Sequence, residues 1–322
     1  VIASLLADAE LRLRGRPPAG DRWALPEDAI VDAVRAARRP IVLAGPGVVL
    51  DGAVPGLHAL AAAASLGVLN TWGAKGVFDW RSRHHLATAG LQSLDFERGG
   101  LTDADLIIAT GVDEREALAP WRLAPVVEVD PLALDPLAER CGRPPAEIAV
   151  PPLRADLGRI TQAAWTATQG PLPPTKATQR YGLALGGGGL VAADPGTAGY
   201  WVARTVGTTS VGGVLVSADR VAVGSGLACA IVARQLDPRR PVLAVADELA
   251  DVHHELLEHA RSNGITVGVE VWRPDGPPLD ADAHEAQVAR LVAEGGIAEL
   301  GTDPAQLAQM VEVAGPIVAW TR

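Results

Sequence analysis

Cysteine and lysine are nearly missing from this chain. Among 322 residues only Cys141 and Cys229 are cysteines, too few and too far apart for a zinc spacing or a disulfide framework. Lys75 and Lys176 are the only lysines, so arginine carries almost all of the positive charge. No basic block offsets the net charge of -10, which argues against a nucleic-acid partner. No apolar run reaches the ~18 residues that a membrane span needs, which argues against a membrane partner. The first residues do not read as a signal peptide, so a cytoplasmic location is expected. Val1 stands where an initiator methionine is usual, which fits either a missing upstream part or a non-ATG start.

What is present is apolar and periodic. The chain is 48% hydrophobic, enough for about two domains of ordinary size. "TATQGPLPPTKATQR", residues 166–180, is polar and aperiodic and reads as a linker. On each side of it short apolar runs alternate with amphipathic helices, the pattern of open parallel sheets. The expected fold is therefore α/β, with two Rossmann-like or flavodoxin-like domains carrying helices on both faces. The expected divisions are a leading segment 1–26, a central domain 27–165, the linker, and a second domain 181–322.

In the first half, "PEDAIVDAVRAARRP" has helix polarity, with acids early and arginines late. Strands "IVLAG", "VLNT", "DADLIIATG" and "APVVEVD" would bring Gly45, Gly47, Thr71, Gly111 and Asp130 to one carboxyl edge, where open α/β sheets bind ligands. The second half reads as strands "GGVLVSA", "PVLAVAD", "ITVGVEV", "IAELGT" and "PIVAW", separated by helices.

Four motifs carry possible chemistry. "GPGVVLDG" at Gly45 resembles the start of a dinucleotide fingerprint, but Leu50 replaces the third glycine and no acid ends the next strand, so a plain strand-to-helix turn is the simpler account. "HHELLEH" at 253–259 invites a zinc reading, but four residues after His254 comes Glu258, and His259 falls one position late. A solvated helix explains it better, with Leu249, Val252, Leu256 and Ala260 inward and Glu248, Asp251, Glu255 and Glu258 outward. His84 and His85 fall in a polar loop without a matching acid. "GSGLACAIVA" from Gly224 opens a small-residue helix whose N–H groups could face a phosphate, or which could simply pack tightly on a strand. Asp247, at the end of "PVLAVAD", is either a metal ligand at the sheet edge or the cap of the helix that follows.

The order of these parts, from about residue 27 to the end, resembles thiamine diphosphate enzymes of the acetolactate synthase and pyruvate oxidase type. The first half is similar to their central domain. "AADPGTAGYWVAR" and "VAVGSGLACAIVARQLDPRRPVLAVADE" are similar to the domain that grips the diphosphate. The resemblance implies that Val223 lies under the cofactor's bend and that Gly224, Ser225 and Gly226 present backbone to it. It further implies that Asp247 ligates Mg²⁺, with Ala246 and Glu248 beside the diphosphate. A homodimer or homotetramer is implied as well, since such sites lie between chains.

Three departures stand against this. Ala246-Asp247-Glu248 replaces the family's Gly-Asp-Gly and places a negative side chain at the cradle. Trp272-Arg273 occupies the place of an Asn-Asn pair that supplies the second metal ligand. Residues 1–26 are too short for the pyrimidine-binding domain that precedes the central domain in the family, so a partner chain or an upstream segment would have to supply it. Two readings follow: a thiamine diphosphate enzyme acting on a 2-oxo acid with such a partner, or a non-catalytic regulatory or scaffolding member. A third, a nucleotide-binding central domain, rests on Gly45 and Gly47 alone.

Overall fold

The computed structural model describes residues 1–16, 28–144 and 146–321. Helix α1 (Ile2–Arg14) opens the chain. There follow α2 (Asp28–Ala36), β1 (Pro40–Ala44), α3 (Gly47–Leu50), α4 (Val54–Ala64), β2 (Gly67–Thr71), β3 (His85–Ala89), β4 (Leu106–Thr110), β5 (Val126–Val129), α5 (Leu134–Arg140) and α6 (Pro152–Trp165). The remainder is α7 (Pro174–Leu185), β6 (Leu190–Ala193), α8 (Thr197–Thr205), β7 (Val214–Val216), α9 (Ser225–Leu236), β8 (Val242–Ala246), α10 (Asp251–Ser262), β9 (Gly268–Trp272), α11 (Ala281–Glu294), β10 (Gly296–Leu300) and α12 (Gln306–Ala314).

These elements form two compact units, each on a five-stranded parallel sheet with helices around it. The first unit comprises residues 14–156 and 313–319, and its sheet order is β3-β2-β1-β4-β5. The second comprises residues 1–13, 157–312 and 320–322, with order β10-β9-β8-β6-β7. The α/β class read from the sequence is the one found. Short runs of Val, Ile, Leu and Ala make the strands because both faces of a parallel sheet are covered, so no polar alternation is needed. In β1, β4 and β8 nearly every residue is buried, and each fully covered Val, Leu or Ile contributes about 1.5–3 kcal/mol.

Several sequence expectations need correction. The residues around His85 form an edge strand, not a polar loop; "HLATA" is too short and too polar to announce itself. The segment 166–180 is not linker throughout, since α7 begins at Pro174 and buries Thr175, Lys176, Ala177 and Thr178. "PIVAW" adds no strand to the second sheet: Ile317 makes an isolated bridge to Gln92 in the first unit, whose side chain donates to Gly315 O at 2.6 Å. In the leading segment, α1 sets Ala9 into the core of the second unit, with Ile2, Leu5, Leu6 and Leu13 packed beside it against residues of α9 and the sheet. The rest of that segment, from residue 17, lies outside the described residues.

Among the described residues no helix is long and apolar enough to cross a membrane. Both cysteines are buried and unpaired, and burial pushes the Cys229 thiol up to about 12.

Candidate functional site

In the second sheet the strand order reverses between β6 and β8, and such reversals are where open α/β folds bind ligands. Those two strands release Asp194 and Asp247 at their carboxyl ends, so two acids meet at one edge. Each accepts from the first turn of a helix. Asp247 Oδ2 accepts from Thr197 N–H at 2.7 Å and Oδ1 from Ala198 N–H at 2.8 Å, so it caps α8. Capping of the helix after β8 was the expectation on the simpler account, but α10 starts later, at Asp251.

Asp194 does the same for α9. Its Oδ2 accepts from Gly224 N–H at 2.7 Å and its Oδ1 from Gly226 N–H at 2.8 Å. A third bond joins Asp194 Oδ2 to His253 Nε2 at 2.9 Å. Ala250 N–H donates to His253 Nδ1 at 3.0 Å, which makes Nε2 the nitrogen that carries the proton. Asp194 and His253 are both buried. The helix N-termini, ready-made for anions by their unsatisfied N–H groups and dipoles, are therefore engaged by the chain's own carboxylates.

The other residues singled out from the sequence fall around this edge. Val223 is exposed, and Gly224, at φ +88°, is the N-cap of α9. Ser225 is buried, and its Oγ has no hydrogen-bond partner among the described residues. Gly226 packs so closely on β6 that an added Cβ would lie 2.7 Å from Ala193 C, so tight helix–strand packing requires that glycine. Ala246 is buried, and Glu248 is exposed.

The place of the second ligand is filled by other work. Trp272 turns inward, its Nε1 donating to Tyr181 Oη at 2.8 Å and to Glu270 Oε2 at 3.3 Å. Arg273 stays at the surface with Asp275 and Glu299. Behind Trp272 lies a buried network. Glu270 accepts from the Tyr181 hydroxyl, from His284 Nε2 at 3.1 Å and from Gln287 Nε2 at 3.0 Å.

In the segment 253–259, His253 is committed to Asp194 and His254 is exposed. Among the described residues no three His, Cys, Asp or Glu side chains are grouped to hold a metal.

A magnesium diphosphate does not fit this donor set. Both oxygens of Asp247 are bonded to α8, no second oxygen ligand is offered at the end of β9, and the N–H groups of Gly224 and Gly226 are occupied. A phosphate charge brought within ~5 Å of either carboxylate would meet about 3 kcal/mol of repulsion at an effective dielectric near 20.

Burial raises the pKa of Asp247. The α8 N–H donors pull it back in part, and the charges of Asp194 and Glu248 raise it further, leaving a net increase. An acid with a raised folded pKa binds more protons folded than unfolded. Its contribution to stability therefore falls as pH rises from the ordinary 3.8 through the raised value. Asp247→Asn should remove that slope: in urea unfolding, the variant should gain on the parent between acid and neutral pH. A difference independent of pH would refute this.

At the corresponding edge of the first unit, the "GPG" turn is closed by backbone. A Cβ on Gly47 would lie 2.7 Å from Gly111 Cα, and Gly45 likewise abuts Gly111 and Val112. These glycines serve packing, as the simpler account held. His84 Nδ1 bonds Leu66 O at 2.8 Å. The His85 imidazole is pushed down to about 3, by burial first and then by the charges of Lys75 and Arg154, and so is neutral at physiological pH.

Sequence reasoning missed Asp194, His253 and the Glu270 network. The first had a signal, an acid ending a buried strand just before Pro-Gly; the others depend on contacts between distant segments. Comparison with known families matches residues 28–135 to the family described as "Thiamine pyrophosphate enzyme, central domain". No curated protein matches the chain.

Proposed function

We propose, from the match of residues 28–135 to the thiamine pyrophosphate enzyme central domain, that this chain is a non-catalytic member of the thiamine diphosphate enzyme family with a regulatory or scaffolding role. Thiamine diphosphate is the cofactor the family implies. The observation that carries the proposal is the pair of carboxylate caps: Asp194 on Gly224 and Gly226, and Asp247 on Thr197 and Ala198. A diphosphate would have to displace both from a partly desolvated edge. The inward turn of Trp272 supports the same reading, because it leaves the end of β9 without an oxygen donor.

The test is calorimetric titration of thiamine diphosphate into the protein with Mg²⁺, and again with EDTA. No heat in either buffer is expected. Micromolar heat that requires the metal would overturn the proposal. It would restore the competing reading, in which this chain supplies the diphosphate and metal part of a 2-oxo acid decarboxylase or acetolactate synthase site and a pyrimidine-binding domain from a partner chain or an upstream segment completes it.

A further inference from the structure

One row of the first sheet runs Thr88, Asn70, Ala44, Thr110 across β3, β2, β1 and β4. Neighbours in register on parallel strands put their side chains on the same face, so the two polar residues flank the small methyl of Ala44. All four residues are buried, Asn70 and Thr110 to 1% exposure each. Asn70 Nδ2 donates to Thr71 O at 2.9 Å and to Thr88 Oγ1 at 3.3 Å, which turns the amide nitrogen toward β3 and its Oδ1 toward β1. Among the described residues, Asn70 Oδ1 and Thr110 Oγ1 have no hydrogen-bond partner.

Buried polar atoms in folded proteins nearly always have a partner, either protein or ordered water. Here two such atoms stand either side of the smallest side chain in the row. The outer strands are ~10 Å apart, a span that two side chains reaching inward narrow to that of water-mediated bonds. We propose that this row binds ordered water over Ala44, the water donating to Asn70 Oδ1 and accepting a hydrogen bond from the Thr110 hydroxyl.

Two readouts on the full chain test this. In NMR of the labelled protein, the Ala44 methyl should show a cross-peak to a long-lived water, and its absence would refute the site. Thr110→Val, which keeps the shape and removes the hydroxyl, separates the alternatives by sign. With water in place it loses a hydrogen bond and should lower the thermal midpoint by about 2–4 °C. If Thr110 Oγ1 is truly without a partner, removing it relieves a buried polar group and the midpoint should rise, which would overturn the proposal.

Discussion

Replacing Glu270 with Ala is expected to destabilise the second unit by about 3–5 kcal/mol, the range found when one member of a buried charged group is removed. Glu270 and His284 are both fully buried. The substitution strands the Tyr181 hydroxyl, Trp272 Nε1, His284 Nε2 and Gln287 Nε2, all of which donate to this one carboxylate. Burial alone would raise the pKa of Glu270. The hydrogen bond and charge of His284 outweigh it, helped by Tyr181 and Gln287, so the folded pKa lies below the ordinary 4.5. The sign is therefore opposite to that at Asp247. The stabilisation is full above 4.5 and is lost as pH falls through the lower folded value. Urea unfolding of Glu270→Ala and Glu270→Gln across pH checks both points. Glu270→Gln should cost less than Glu270→Ala, since one acceptor oxygen remains. A loss below about 1 kcal/mol in Glu270→Ala would show that water replaces the carboxylate without difficulty.

Asp194→Ala should rank next, at about 3 kcal/mol, because it removes a helix cap and a buried partner of an imidazole together. Gly224 N–H, Gly226 N–H and His253 Nε2 all lose their acceptor. Amide hydrogen exchange gives the local readout: protection at Gly224 and Gly226 should drop while that of the first sheet is unchanged. Asp194→Asn should recover part of the loss, since its one oxygen can serve one N–H. Unaltered exchange at both glycines would mean that the α9 terminus does not depend on Asp194.

The sequence was most legible where structure is local. β1, β8 and α9 announce themselves by apolar runs and small-residue periodicity, and α9 opens at Ser225, within the small-residue run read as a helix. β3 was not legible, because an edge strand needs little hydrophobic signal and "HLATA" has little. "ITVGVEV" was read as one strand, yet β9 begins only at Gly268 and runs on to Trp272. There an indole at the strand end is held by the buried Glu270 network, which only the folded pairing of α7, β9 and α11 creates. The candidate site divides in the same way. Asp247 and the Gly224 turn could be singled out from residue type and position. That Asp247 would reach α8, and that Asp194 would reach α9, depends on which strands become neighbours.

One consequence follows from the path of the chain. Residues 1–13 and 320–322 belong with the sheet built from 157–312, while 313–319 belong with the other. Neither unit is thus a single stretch of gene. A cut or fusion placed between the two sheets would deprive each of them of a piece encoded on the other side of the break. The α9 helix would lose the apolar cover that Ala9 and its neighbours provide. Exchange of such a unit between relatives, the ordinary traffic of modular evolution, is closed to this chain unless both ends travel together.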